Sequence, residues 1–115
     1  LNDPYTFPVY EGEIPYILDE FGGIKCMEAN PAEGDAWGYG DAAQTKEDFY
    51  KRLEAQVRVL IEMSDKMWGY CYTQLTDVFQ EKNGLYAFDR REKFNAERLH
   101  KILSRKAAIE KRKRK

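Results

Sequence analysis

The chain has 115 residues, of which 43% are hydrophobic and 34% charged, with a formal net charge of −1. That is the size of one domain with a modest core, and no apolar run is long enough to cross a bilayer. Cys26 and Cys71 lack companions at metal-ligand spacing, which argues against a disulfide framework or a cysteine-based zinc site, and the sole histidine, His100, offers no second candidate for a nucleophile–histidine dyad.

Residues 1–13 carry Pro4 and Pro8 and no helical period, so they are expected to form an incoming loop. Leu1 stands where an initiator Met is expected, so the chain reads as cut from something longer, and no signal-peptide pattern is visible. From Ile14 the sequence changes character. Pro15 can begin a strand, Tyr16, Ile17 and Leu18 suit a pleat covered on both faces, and Gly22-Gly23 turn the chain away at once. Asp19 or Glu20 then lies at a strand's C-terminal end, where parallel α/β folds place their chemistry; the plain alternative is strand, turn and solvent. In the loop that follows, Trp37-Gly-Tyr39-Gly40 suits a platform for a flat apolar face such as one side of a sugar ring, and equally suits core packing. The glycines lack the strand-to-helix placement of a dinucleotide site.

Thr45, followed by Lys46-Glu47-Asp48, marks a helix start, and Phe49, Leu53, Val57, Leu60 and Ile61 form one apolar stripe that runs to about Met63. Met67-Trp-Gly-Tyr-Cys-Tyr-Thr73 reads as a second buried strand. The long loop after it contains Gln74, Asp77 and Asn83, and Asn83-Gly84 predicts a tight turn with a short hairpin or extended piece. A second helix is expected from about Asn95, with Leu99, Ile102, Leu103 and Ala107 on one face. His100 sits in it among Arg98, Lys101 and Arg105, as a surface residue. Residues 105–115 hold seven basic groups against Glu110 alone, either a polyanion-binding tail or a solvated helix end whose cations favour the helix dipole. The order strand, loop, helix, strand, loop, helix is two βα units, which suit an α/β barrel or an open doubly wound sheet.

Four segments together resemble the C-terminal end of the catalytic barrel of glycoside hydrolase family 2, which includes β-galactosidases, β-glucuronidases and β-mannosidases. They are Pro15-Tyr-Ile-Leu-Asp-Glu-Phe-Gly-Gly-Ile-Lys25, Trp37-Gly-Tyr-Gly-Asp41, Gly69-Tyr-Cys-Tyr-Thr-Gln-Leu-Thr-Asp-Val78 and Asn83-Gly-Leu-Tyr-Ala-Phe-Asp-Arg-Arg91. The resemblance implies an α/β fold made of the last two βα units of a (β/α)8 TIM barrel, with residues 14–104 forming the two units and residues 105–115 a basic tail. It implies that Glu20 is the catalytic nucleophile, with Asp19 turned the other way by strand alternation. In a retaining glycosidase, the nucleophile works with a second carboxyl about 5–5.5 Å away that serves as acid and then base. Glu20 must stay ionised for this.

The family's acid/base Glu follows Asn, and no Asn-Glu dipeptide occurs here, so the chain alone is expected to be inactive. Its implied partners are a carbohydrate substrate and the N-terminal remainder of the barrel. The β-glucuronidases carry Asn-x-Lys where this chain has Glu81-Lys82-Asn83, which favours a neutral sugar, galactose first. Thr73 stands where several relatives have Trp; Trp37 or Tyr39 then offers the stacking wall, and Gln74 a hydrogen bond to a sugar hydroxyl. No cofactor or metal is implied. Two other classes stand beside this one: a non-catalytic carbohydrate-binding or assembly fragment, and a polyanion-binding module acting through the tail. Exposed sheet edges also predict self-association.

Overall fold

In a computed structural model of the chain, residues 14–30 and 41–112 are described. Their elements are β1 (Tyr16–Gly22), α1 (Lys46–Glu62), β2 (Met67–Thr73), α2 (Ala96–Leu103) and a 3-10 turn at Ala108–Lys111.

Both helices begin where the sequence marks a start. Thr45 Oγ1 accepts from the Asp48 amide at 3.1 Å, and the Glu28 carboxylate accepts from the Lys46 amide at 2.6 Å, so two of the amides that a helix leaves unpaired are satisfied. Asn95 Oδ1 does the same for the Arg98 amide at 2.9 Å. The α1 stripe Phe49, Leu53, Val57, Leu60 and Ile61 is buried as its period requires, joined by Tyr50. The two helix starts are tied together. Arg98 pairs with Glu47 and lies 4.1 Å from the centre of the Tyr50 ring, whose hydroxyl accepts from the Asn95 amide at 2.7 Å.

The strands run parallel, and their register shifts twice. Tyr16 pairs with Met67 but Ile17 with Gly69, so β2 carries Trp68 as an extra residue; Leu18 pairs with Tyr70 but Phe21 with Tyr72, so β1 carries an extra residue across Asp19-Glu20, opposite Cys71. This second irregularity breaks the expected alternation, and Asp19 and Glu20 are both exposed. The expectation of a pleat covered on both faces is likewise corrected. Leu18 and Phe21 face α1 across a gap of about 240 Å³ lined by Gln56, Val59 and Leu60, while Ile17 and Trp68 remain 62% and 69% exposed.

The expected pair of TIM-barrel units is also corrected. Among the described residues the sheet has two strands only, and the core does not lie mainly between sheet and helices as barrel packing requires. It lies between the helices and the loops. Ile24, Cys26, Ala43, Leu85 and Phe94, all loop residues, join Phe49, Tyr50, Leu53, Val57, Ile61, Leu99 and Ile102, and Phe94 stacks on Phe49 at 3.9 Å between ring centres. Over the described residues the chain is a small α/β unit closed by its own loops, and the barrel units that the resemblance implied are not what these residues form.

The Tyr72 ring packs where Gly22 has no side chain: a Cβ there would stand 2.4 Å from the ring, and Gly22 has φ 101°. Burial raises the Tyr72 phenol above its ordinary value, and its hydroxyl, buried, has no hydrogen-bond partner among the described residues. A folded value raised above the unfolded value of about 10 gives stability that is present below pH 10 and lost as pH rises further. Tyr72→Phe removes the unpaired hydroxyl, so it should raise stability in urea unfolding at pH 7 by about 1 kcal/mol and flatten the decline above pH 10. A loss of stability at pH 7 would contradict the packing described.

Candidate active site at the carboxyl ends of the strands

Past its ladder the sheet is held by one further bond. The Gly23 amide donates to the Thr73 carbonyl at 2.7 Å, next to the Gly22–Thr73 pair, so the carboxyl ends of the two strands stay together. Thr73 and Gln74 stand at that end, whereas the Asp19-Glu20 bulge lies within β1 opposite Cys71, two residues before the Gly22–Thr73 pair, so the expected strand-end position of these acids is corrected. Thr73 and Gln74 are half-buried, whereas Trp37 and Tyr39 lie outside the described residues.

Gln74 does not point freely into solvent. Its Nε2 donates to Asn83 Oδ1 at 2.6 Å and to Glu81 Oε2 at 3.4 Å, and Asn83 is fully buried. The predicted turn at Asn83-Gly84 is displaced. Val78 and Glu81 exchange backbone bonds of 3.0 and 2.9 Å, closing a turn in which Phe79 has φ 49°. After this turn the chain returns beside its own path, with Leu85 donating to the Gln74 carbonyl, Tyr86 to Leu75 and Asp77 to Tyr86. Gly84 serves this close approach: a Cβ there would stand 2.2 Å from the Asp77 nitrogen and 2.3 Å from the Thr76 carbonyl carbon.

Beneath lies a buried ion pair. Asp77 Oδ1 accepts from Lys93 Nζ at 2.7 Å and from the Gly84 amide at 2.8 Å, Oδ2 accepts from Asn30 Nδ2 at 3.3 Å, and Lys93 Nζ also donates to the Lys82 carbonyl at 3.3 Å. Both charged side chains are at least 95% buried. Burial pulls the Lys93 ammonium below its ordinary value, against the opposing hydrogen bond and charge of Asp77. Asn30, Asp77 and Lys93 also line a cleft of about 600 Å³ together with Glu28, Lys46 and Arg91.

Asn30 and Lys93 were not anticipated from the sequence. A lysine between Glu92 and Phe94 carries no periodic signal, and only a buried partner makes its burial intelligible. Asn30 precedes Pro31, a turn signal that says nothing of its contact with Asp77.

Outside this region, Phe79 and Phe88 stack on each other at 6.0 Å while remaining 75% and 59% exposed. His100 is exposed, Cys26 buried and Cys71 exposed. Arg105 pairs with Glu54 at 3.6 Å, and the 3-10 turn is tied back by the Ile109 amide donating to Ser64 Oγ at 2.9 Å. Among the described residues no group of three or more His, Cys, Asp or Glu side chains is placed to hold a metal ion, and no helix is long and apolar enough to cross a membrane. No protein-family model matches the chain, and no curated protein matches it.

Removing one member of a buried ion pair leaves the other charge uncompensated, so Lys93→Met should lower stability by about 3–5 kcal/mol, and Asp77→Asn/Lys93→Met should recover most of that loss. Urea unfolding of the two variants against the parent decides it; equal losses would mean that the charge itself is immaterial. Gly84→Ala forces a methyl group into backbone and should cost about 3 kcal/mol or more by the same measurement.

Proposed function

We propose that the chain supplies the nucleophile, Glu20, of a retaining exo-β-glycosidase that hydrolyses the O-glycosidic bond of a neutral sugar, galactose first. The observation that carries this reading is an exposed carboxylate on the β1 bulge, in the carboxyl-terminal half of a strand whose partner leads into a glutamine with its amide anchored to a buried residue. A register irregularity beside a site re-aims a side chain, which suits a carboxylate that has to reach an anomeric carbon.

In the proposed reaction, the Glu20 carboxylate attacks the anomeric carbon as the bond to the leaving oxygen breaks, and that oxygen takes its proton from a second carboxyl. The glycosyl ester so formed is then displaced by water, whose proton returns to the second carboxyl. The resemblance implies an acid/base Glu that follows Asn, and with no Asn-Glu dipeptide in the 115 residues this reading assigns the second carboxyl to a further polypeptide segment. Gln74 uses both hydrogens of its amide on Asn83 and Glu81, which leaves its carbonyl to accept from a sugar hydroxyl. The Glu81 carboxylate beside Gln74 disfavours a uronic acid by like-charge repulsion.

A second reading has its own observation. The exposed Phe79–Phe88 pair offers apolar rings to a carbohydrate, as a binding fragment without turnover would. The polyanion reading rests on the basic groups of residues 105–115, of which Arg105 pairs with Glu54 and residues 113–115 lie outside the described residues.

The deciding assay uses the protein that carries this chain together with its acid/base segment, on aryl β-galactoside, β-glucuronide and β-mannoside. Galactoside should turn over fastest, and Glu20→Gln should lower kcat at least about 10³-fold with an unchanged circular dichroism spectrum. Sugar binding with no turnover of any of the three would favour the Phe79–Phe88 reading, and full activity in Glu20→Gln would exclude Glu20 as nucleophile.

A further inference from the structure

Resting on the reading of Gln74 as a sugar-contacting group, we propose that the buried Asp77–Lys93 pair is a positioning device. It fixes the Gln74 amide, through Asn83, with the carbonyl turned to the ligand, so that the site selects a hydroxyl donor at that point.

The pair grips the chain on both sides of Asn83. Lys93 Nζ binds the carbonyl of Lys82, and Asp77 Oδ1 binds the amide of Gly84, so the peptide groups that flank Asn83 are both held by a single salt-bridged unit. Gly84 lies so close to the Thr76-Asp77 backbone that this segment has little room to shift. Asn83, fully buried between these anchors, then presents Oδ1 to Gln74 Nε2 at 2.6 Å.

Amides are nearly symmetric in shape, and a contact between Asn83 and Gln74 alone would permit both to turn over together. Glu81 removes that freedom. Its carboxylate accepts only, and it lies 3.4 Å from the same Gln74 Nε2; turning the amide would set Gln74 Oε1 against a carboxylate. Asn83 Oδ1 and Glu81 Oε2 thus both demand the NH2 group, and the remaining function, Oε1, is an acceptor. A ligand that places a hydroxyl there gains a bond, and one that places a carboxylate or a second acceptor there is rejected. Asp77, Lys93 and Asn83 do not touch the ligand in this account.

Two measurements test it. In the 115-residue chain, NMR should show slow exchange of the Gln74 side-chain amide hydrogens, accelerated at least about ten-fold in Asp77→Asn/Lys93→Met, which removes the pair without leaving a lone charge, and to the same degree in Asn83→Ala. Rapid exchange in the parent chain, or no change in either variant, overturns the clamp. In the protein with its acid/base segment, a series of monodeoxy aryl β-galactosides should include one analogue whose kcat/KM falls at least about ten-fold, mainly through KM, with that penalty largely gone in the double variant. An equal fall for every substrate in the double variant means a merely structural role and overturns the positioning claim. A locked Gln74 amide in a protein that turns over no glycoside supports the clamp and overturns the glycosidase reading.

Discussion

The carboxylate of Asp77 joins three stretches of chain: the distant loop after β1 through Asn30, the returning segment through Gly84, and the approach to α2 through Lys93. A buried charge is tolerated only when it is paired and its remaining lone pairs are filled, and here one lysine, one backbone amide and one side-chain amide fill them. Lys93 leads directly into Phe94, which stacks on Phe49 of α1, and then into Asn95, which caps α2. The polar anchor and the apolar core are therefore consecutive residues of the same short segment, and a shift in one is felt in the other.

This arrangement explains why the loops, rather than the sheet, close the fold. Two parallel strands give little ladder of their own, and their outward face keeps Ile17 and Trp68 exposed. The loops contribute Ile24, Cys26, Ala43, Leu85 and Phe94 to the core, a role for which their sequences give no periodic sign. The helices were legible because a period of 3.6 and a capping residue are local properties. Thr45, Asn95 and the stripe from Phe49 to Ile61 suffice without knowledge of what they pack against. The bounds of β2 were legible for the same reason. The expectation of barrel units was drawn from the resemblance of four short segments, and neither those segments nor the order of elements says how many strands complete a sheet or where the core will lie.

Within the candidate site, legibility divides along the same line. Asp19 and Glu20 stood out as acids before a double glycine, yet their relation to each other depended on register, and a register irregularity is a property of two strands together. Simple alternation placed them on opposite sides, whereas the additional residue opposite Cys71 leaves both exposed. The dipeptide Asn83-Gly84 misled in an instructive way. Its turn chemistry is real in isolation, but here Gly84 is required by contact with the Thr76-Asp77 backbone, and the turn falls instead at Val78 to Glu81. Gln74 and Asn83 were recognisable as polar loop residues; that one fixes the other was not, because the contact is made by a path that runs out, turns and comes back.

Asn83 carries a cost that bears on what the region is for. Its Nδ2 is buried with no partner among the described residues, as is Asn30 Oδ1, and each unpaired group lowers stability by about 1–3 kcal/mol. An apolar residue of similar size at position 83 would avoid that cost but would leave Gln74 without its anchor. A residue selected only for packing would not be an asparagine there. The same side chain that holds the glutamine's NH2 group with its carbonyl has an NH2 of its own with no partner among the described residues. Stability is given up at a position whose one strong bond reaches outward to the strand end, and this asymmetry favours orientation of Gln74, rather than support of the core, as the reason for the network.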